Sequence, residues 1–233
     1  MAAASSSVLA GAKLSYFPIP GRGEPLRLAF ALSSVEWTDN RIQPKDWGAL
    51  KPSTPWGSMP MIELSDGKQM GQLRSMLRFV GRLAGLYPED PLLACRVDEI
   101  MDVIDDTSNA INKVGQGFEQ SAKEAARAEA VSPSGGVGST LSKIDAFIAA
   151  NGSDGHTVGA TITVADLMVA SMLANLCSGF FDGVPPSTLE RYSNIQAVRK
   201  TVMSDPKIVA YYASRPAAEV TPFETYLTSA KDL

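Results

Sequence analysis

Residues 57–72 constrain the fold of this chain more than any other segment, because they predict a strand, a hairpin turn and a helix start in direct succession. Pro60 opens the strand, where a residue that cannot donate to a sheet ladder is tolerated, and Asp66-Gly67 is typical of a hairpin turn. A cis peptide bond is least costly before proline. If Met59–Pro60 is cis, the backbone N–H and C=O of Met59 lie free, and the segment predicts a receptor for a peptide-like ligand.

The first part of the chain alternates strand and helix patterns. Strands are predicted over residues 13–17 and 35–42, helices over residues 23–32 and 73–83, and a long loop over residues 43–58. The resulting order, β-α-β-loop-β-β-α, indicates a small mixed sheet with helices packed on it. The ligand crevice of such a sheet is expected at the strand ends.

The rest of the chain carries helical patterns almost throughout. Apolar residues at helical spacing predict a long amphipathic helix over residues 97–111. Thr163-Val164-Ala165-Asp166 has the pattern of an N-cap with an acidic third residue, before an apolar helix over residues 167–180. Further helices are predicted over residues 121–130, 139–150, 195–203 and 207–215. The fold class expected is therefore α/β plus all-α.

The predicted division of the chain is a disordered tail (1–12), an α/β domain (13–86), a linker (87–91) and an all-helical domain (92–233). A net charge of −4 and the lack of a basic stripe argue against a nucleic-acid partner. No apolar run approaches the length of a membrane span, and the first twelve residues lack the features of a signal or transit peptide, so a cytosolic protein is expected. Cys95 and Cys177 are expected to be buried and reduced.

These motifs, in this order, resemble a cytosolic glutathione transferase, most closely of the sigma class. The resemblance covers residues 13–215 and rests on the following segments: Lys13-Leu14-Ser15-Tyr16-Phe17, Gly21-Arg22-Gly23-Glu24-Pro25-Leu26-Arg27, Asp46-Trp47 with Lys51, Pro55-Trp56-Gly57, Met59-Pro60, residues 97–106 and Thr163-Val164-Ala165-Asp166. It implies a thioredoxin-like βαβ-ββα domain followed by an all-helical domain. It also implies glutathione as cosubstrate, a small hydrophobic electrophile as second substrate, and a homodimer.

The resemblance implies a catalytic role for Tyr16 at the end of the first strand. The thiol of glutathione is a poor nucleophile until it is ionised. A tyrosine hydroxyl aimed at the sulfur stabilises the thiolate, and each unit by which the thiol pKa falls represents about 1.4 kcal/mol. Arg22 would add positive potential that favours the anionic forms. From spacing alone, a tyrosine packed at a sheet edge and a solvated arginine are equally compatible with the pattern.

The resemblance also implies the residues that bind glutathione. Trp47 and Lys51 would contact the glycine carboxylate through the indole N–H and the ammonium group, and the main chain at Met59-Pro60 would receive the peptide. The γ-glutamyl end would be met by Gln72 and by the backbone N–H of Leu73. Asp106, alone or together with Asp105, would reach the glutathione amine in a neighbouring subunit. Trp56 is predicted to be a packing residue.

The chain departs from the family pattern at Leu73, where the family has a serine whose hydroxyl holds the γ-glutamyl carboxylate. Losing that hydrogen bond costs roughly 1.5–3 kcal/mol, which weakens binding about ten- to a hundredfold. Arg74 or Ser75 could compensate. Ser58 stands where many related proteins have a lysine or glutamine, so still fewer polar contacts with glutathione are expected.

Acidic residues recur on one face of the long helix, at Asp98, Asp102, Asp105 and Asp106. Such a row is usually a solvated face, although a weak divalent-cation site remains an alternative. No metal ligand is assigned.

Three functions stay open at this point. The first is an enzyme that adds glutathione to an electrophile, or reduces a hydroperoxide, in a pocket around Ile111, Phe180 and Phe181. The second is a related isomerase for prostaglandin-like endoperoxides. The third is a transferase-shaped binding or scaffold protein with weakened glutathione affinity. A thiol-disulfide enzyme is excluded, because residues 13–22 contain no cysteine.

Overall fold

The computed structural model describes residues 8–233. A four-stranded sheet forms the first part, with strands β1 (Ala12–Tyr16), β2 (Trp37–Arg41), β3 (Met61–Glu63) and β4 (Gln69–Gly71) in the spatial order β2-β1-β3-β4. β1 runs parallel to β2 and antiparallel to β3, and β3 pairs antiparallel with β4. This small mixed sheet confirms the predicted thioredoxin-like arrangement.

The helices of the first part cover this sheet and shape its edge. They are α1 (Glu24–Ser33), α2 (Pro44–Leu50) and α3 (Leu73–Ala84). Residues 43–58 were expected to be a long loop, and α2 shows that this expectation was wrong for their first half. None of its seven residues is buried, so α2 carries no apolar periodicity that could have predicted it.

The second part contains only helices among the described residues. They are α4 (Pro91–Lys113), α5 (Gln120–Ala130), α6 (Gly136–Asn151), α7 (Val164–Met168, a π-helical turn Val169–Leu173, then Ala174–Cys177), α8 (Ser193–Met203), α9 (Pro206–Ala213) and α10 (Pro222–Thr228). Residues 87–90 of the predicted linker lie between α3 and α4, and Pro91 is the first residue of α4. The division into domains at residues 87–91 stays a prediction.

The buried helix α7 is anchored by the capping box that the sequence predicts. The Asp166 carboxylate accepts hydrogen bonds from the Thr163 backbone N–H (2.7 Å), the Thr163 hydroxyl (2.8 Å) and the Thr157 backbone N–H (2.6 Å). Every residue of α7 is buried. Three donors to one carboxylate compensate the cost of burying its charge, so α7 has a fixed starting point from which it approaches the sheet edge.

The N-terminal segment is more ordered than the predicted tail of residues 1–12. Leu9 is buried in the hydrophobic core and Ala12 is the first residue of β1. The expectation of disorder is therefore wrong for residues 8–12, because Leu9 contributes apolar surface to the core. Residues 1–7 of the predicted tail lie outside the described residues.

The C-terminal helix α10, which was not predicted, is fastened to the sheet by buried charges. Glu224 accepts from Arg41 of β2 (3.2 Å) and from Arg215 (2.7 Å). In the same region the Tyr212 hydroxyl donates to Glu24 of α1 (2.6 Å). The Arg41–Glu224 and Glu24–Tyr212 contacts join residues far apart in sequence, so they bind the helical part to the first part.

Two further expectations concern thiols and membranes. Cys177 is buried, as expected, but Cys95 is exposed on α4, so the expectation of burial was wrong for that residue. Cys95 lies on the outward side of the amphipathic helix, where no core neighbour covers it. Across residues 8–233 no helix combines the length and the apolar character needed to cross a lipid bilayer.

Candidate active site

One edge of the sheet collects most of the predicted site residues. Ser15 pairs with Met61, and Met61 pairs with Gly71. The end of β1, the start of β3 and the end of β4 therefore lie side by side. Tyr16 is the last residue of β1, and the residues that flank the other two strand ends are Met59, Pro60, Gln72 and Leu73. The register alone brings the predicted catalytic residue beside the predicted peptide receptor.

Tyr16 ends β1 with a phenol that lines a cavity of about 160 Å³. Its side chain is 8% exposed, and its hydroxyl oxygen accepts a hydrogen bond from the Arg22 backbone N–H (3.2 Å). Burial raises the pKa of Tyr16 above its ordinary value, and this outweighs the opposite effects of that N–H and of the Arg22 and Arg27 charges. The phenol is therefore protonated at neutral pH, and its O–H is a hydrogen-bond donor.

Glycines leave room for this phenol. A Cβ on Gly21 would stand 2.8 Å from the Tyr16 hydroxyl oxygen, and a Cβ on Gly23 would stand 2.5 Å from the ring. Gly21 also adopts a positive φ of 42°, which favours glycine. The Gly21-Arg22-Gly23 turn can therefore approach the ring closely enough for the Arg22 N–H to reach the phenol oxygen.

The Arg22 guanidinium does not point freely at the phenol. It forms an ion pair with Asp105 of α4 (2.7 Å), whose carboxylate is buried. Arg74 of α3 lies 3.9 Å from the same carboxylate. Sequence reasoning placed the positive charge of Arg22 near the phenol, but missed the direct main-chain contact and the ion pair that holds this turn against the helical part.

The loop residues expected to bind glutathione lie near the same strand ends. Trp47 of α2 is half-buried and packs edge-to-face against Phe17, with 6.0 Å between ring centroids. Phe17 directly follows Tyr16. Lys51 is exposed in the short 3-10 turn Lys51–Ser53 that follows α2. Its flexible ammonium is free to reach a carboxylate at this edge.

The Met59–Pro60 peptide bond is cis, as the sequence analysis anticipated. Gln72, across the strand pair, is exposed and has a positive φ of 72°, a conformation that is rare for residues other than glycine. Leu73 begins α3, and its side chain is 3% exposed within the hydrophobic core. Its backbone N–H belongs to the first turn of the helix, where N–H groups have no helical partner.

The acidic row on α4 divides into paired and exposed members. Arg78 pairs with Asp98 (2.7 Å), Arg74 with Asp102 (2.6 Å) and Arg22 with Asp105. Asp106 is exposed. No group of three or more potential metal ligands occurs within residues 8–233. Ion pairs with these arginines account for Asp98, Asp102 and Asp105.

Both suggested substitutes for the missing serine hydroxyl are near the site. Arg74 follows Leu73 but is engaged by Asp102, and Ser75 is exposed one residue further along. Trp56 was expected to pack, but it is 69% exposed and its indole stands over Gly71, where a Cβ would come within 2.7 Å. The expectation that Trp56 packs as a buried residue was therefore wrong.

The cavity beside Tyr16 lies between the two parts of the molecule. Its lining residues are Tyr16, Ile19, Gly21, Arg22, Ser108, Asn112, Met172, Asn175, Leu176, Phe180 and Phe181. Phe180 and Phe181 were expected, whereas Ile111 is buried in the core and is not among the lining residues. A larger open groove of about 740 Å³ lies along Tyr87, Pro91 and Cys95 and contains none of the predicted site residues.

Sequence reasoning missed the lining residues from α4 and α7. Met172, Asn175 and Leu176 follow helical spacing, but the surrounding residues are apolar on every side, so no pattern marks which face meets the cavity. Ser108 and Asn112 are four residues apart on α4 and therefore share one face of that helix. Because both are polar, this pair could have been recognised from the sequence more easily than the residues of α7.

Comparisons with known proteins agree with this geometry. Residues 105–215 match the family model described as "Glutathione S-transferase, C-terminal domain". A relative from Ascaris suum, "Glutathione S-transferase 1", is 33% identical over 207 residues, which cover 88% of this chain and 96% of the relative.

Solved structures show the same fold. The structure of prostaglandin synthase D from Nilaparvata lugens is 26% identical, with a TM-score of 0.77 over 89% of this chain and 99% of that one. A glutathione S-transferase of the hookworm Necator americanus, described as monomeric, is 27% identical, with a TM-score of 0.71 over 88% of this chain and 98% of that one.

Proposed function

The chain belongs to the glutathione S-transferase family, and from that premise we propose that Tyr16 activates glutathione bound along the sheet edge. The observation that carries this proposal is the buried phenol, held by the Arg22 N–H at the wall of a cavity. Because the N–H occupies one lone pair of the oxygen, the O–H remains for the sulfur. The charge-assisted hydrogen bond from O–H to thiolate would lower the pKa of the bound thiol.

The proposed glutathione site extends from Tyr16 along the strand ends. Trp47 and Lys51 would hold the glycine carboxylate, and the main chain at Met59 and Pro60 would hold the central peptide. Gln72 would meet the γ-glutamyl group, whose carboxylate would also accept from the Leu73 N–H in the favourable field of the helix N-terminus. Support comes from the strand register, which brings the end of β1, the start of β3 and the end of β4 together, and from the contact of Trp47 with Phe17.

The second substrate would enter the cavity from the side of the helical part. There the thiolate would attack an electrophilic carbon by substitution or conjugate addition. A prostaglandin-type isomerase is the second candidate, supported by the similarity to prostaglandin synthase D. The cavity of about 160 Å³ favours the transferase, because pockets for drug-sized ligands usually measure about 300–1,000 Å³.

A homodimer, of the sigma class and in the cytoplasm, completes the proposal. Trp56 and Leu92 are large apolar side chains that lie exposed in the single chain, and exposed apolar side chains of this size are typical of interfaces. Asp106 is exposed as well and would reach the glutathione amine of the neighbouring subunit.

Two measurements test this function against a scaffold role with weakened affinity. The purified protein should be retained by immobilised glutathione and eluted by free glutathione. It should also conjugate glutathione to chlorodinitrobenzene faster than the uncatalysed reaction. A folded protein that neither binds nor turns over would exclude the enzymatic function and leave the scaffold role.

A further inference from the structure

Asn175 places an unused polar group in the wall of the cavity. Its side chain is 8% exposed, and it lines the same space as Tyr16. Within residues 8–233 its carboxamide oxygen has no hydrogen-bond partner, whereas its backbone carbonyl accepts from Ser178 (2.9 Å). Buried polar side chains nearly always have a partner. An amide that lacks one at a ligand cavity points to a partner on the ligand.

The local backbone explains how a polar residue comes to face the cavity from a buried apolar helix. A π-helical turn, Val169–Leu173, immediately precedes Asn175. Such turns shift the residues that follow around the helix axis and are frequent at functional sites. Met172 within the turn and Asn175 and Leu176 after it all line the cavity. The amide is thus framed by two apolar side chains, which would strengthen a hydrogen bond formed there.

Apart from Tyr16, the other polar side chains of the wall each have at least one hydrogen-bond or ion-pair partner. The Ser108 hydroxyl donates to the Ile104 carbonyl (3.0 Å), and the Asn112 amide donates to the Ser108 carbonyl (2.7 Å). The Arg22 guanidinium is paired with Asp105. The two flip states of a carboxamide exchange its oxygen and its NH2 group, so the place where the Asn175 oxygen lacks a partner can instead hold an N–H donor.

We propose that Asn175 is a specificity-determining residue for small α,β-unsaturated aldehydes and ketones, an inference that rests on the proposed function of Tyr16. Its N–H would donate to the carbonyl oxygen of the electrophile. These compounds combine a hydrogen-bond acceptor with a short apolar body, which suits a cavity of about 160 Å³ lined by Met172, Leu176 and the two phenylalanines.

The reaction places negative charge on the atom that Asn175 would contact. The thiolate sulfur forms a bond to the β-carbon, and the electron pair of the C=C bond moves through the α-carbon to the carbonyl oxygen, giving an enolate. Water then supplies a proton to the α-carbon, and the thioether product retains all atoms of both reactants. A donor at the enolate oxygen stabilises the transition state more than the ground state.

The test compares two electrophiles in the full-length protein. trans-Hexenal carries a carbonyl conjugated to the reacting carbon, whereas benzyl chloride reacts by substitution and has no oxygen to accept a hydrogen bond. The N175L variant keeps a side chain of similar size and removes the amide. We expect the ratio of kcat/KM for hexenal to kcat/KM for benzyl chloride to fall about ten- to a hundredfold, which corresponds to roughly 1.4–2.7 kcal/mol.

Two controls make the result decisive. N109L makes the same change at an exposed asparagine of α4, and it should leave the ratio unchanged. N175D tests polarity with little change of shape, and its negative charge should lower the ratio at least as much as N175L does. An unchanged ratio in N175L and N175D, or an equal loss on both electrophiles, would overturn the role of Asn175. Failure of the wild-type protein to conjugate either electrophile would overturn the proposed function itself, and with it this inference.

Discussion

At the scale of single residues, the first position of α3, Leu73, could serve either core packing or ligand binding, and one side chain cannot serve both. Its side chain fills the core, while the resembling transferases place there a serine that binds the γ-glutamyl carboxylate. In this chain the residue at that position packs in the core, whereas a serine there would bind the γ-glutamyl carboxylate through its hydroxyl. The helix N–H groups remain, so we expect a reduced affinity for glutathione that still benefits from the electrostatic attraction of the helix terminus.

The L73S variant tests this exchange. We expect the dissociation constant for glutathione to fall about tenfold, because the hydroxyl restores a hydrogen bond to a charged group. The free energy of unfolding should fall by about 2–4 kcal/mol, since a buried leucine side chain is lost. Calorimetry and urea unfolding measure the two quantities. L73A is the matched control: it removes the same packing, and equal binding by L73S and L73A would contradict a role for the hydroxyl.

Residue identity pointed to Tyr16 as the candidate catalytic residue but did not predict its contacts. The resemblance pointed to the phenol and to Arg22, but the interaction that reaches the phenol oxygen is a backbone N–H. Every residue except proline has such a group, so its role depends on the turn and not on the side chain. The Arg22–Asp105 pair was equally hidden, because it joins residues 83 positions apart in sequence.

At the scale of elements, the turn between β1 and α1 determines where the phenol lies. The G23A variant would place a methyl group 2.5 Å from the Tyr16 ring, so the ring must move. We expect kcat/KM for conjugation to fall at least tenfold, because a displacement of this kind misaligns the donor. Steady-state kinetics measure the change. G136A, where an added Cβ meets no atom within 4 Å, should retain activity, and full activity in G23A would contradict the placement.

Helices and strands could be predicted where apolar residues recur at the regular spacing of that element. β1, α1, α3 and α4 were found because their buried faces follow the expected spacing, and the β3–β4 hairpin was found from its Asp66-Gly67 turn. α2 was missed because it buries nothing, and α10 because it is short. For α10 a usable signal existed: Thr221 and Glu224 form a capping box around Pro222 at the first helical position, which is a known helix-start pattern.

At the scale of the whole molecule, the cavity depends on contacts between the two parts of the chain. Tyr16 and Arg22 come from the sheet edge, whereas Asn175 and Phe181 come from the helical part. The Arg22–Asp105 ion pair and the Arg41–Glu224 ion pair hold the two parts together. This arrangement could be expected only in outline from the sequence, because the pairing of distant residues is set by the packed fold.

Assembly is the second property at this scale. We expect the wild-type protein to sediment at twice the chain mass of 24.7 kDa. W56E should weaken the dimer at least tenfold, because it places a charge in a desolvated contact. F118E changes another exposed aromatic residue, in the loop before α5, and should remain dimeric. Sedimentation of the wild type at the mass of one chain, as for a relative described as monomeric, would contradict the proposal.

The most direct measurement is the pKa of the glutathione thiol when it is bound, followed by the ultraviolet absorbance of the thiolate. Burial keeps the pKa of Tyr16 above its ordinary value, so the phenol itself stays protonated throughout the titration of the thiol. In the wild type the bound thiol should titrate at least one unit below free glutathione. In Y16F its pKa should rise by about one to two units, since each unit represents about 1.4 kcal/mol, while Y192F, which removes a buried hydroxyl outside the cavity, should match the wild type. Equal thiol pKa values in wild type and Y16F would contradict the assignment of Tyr16.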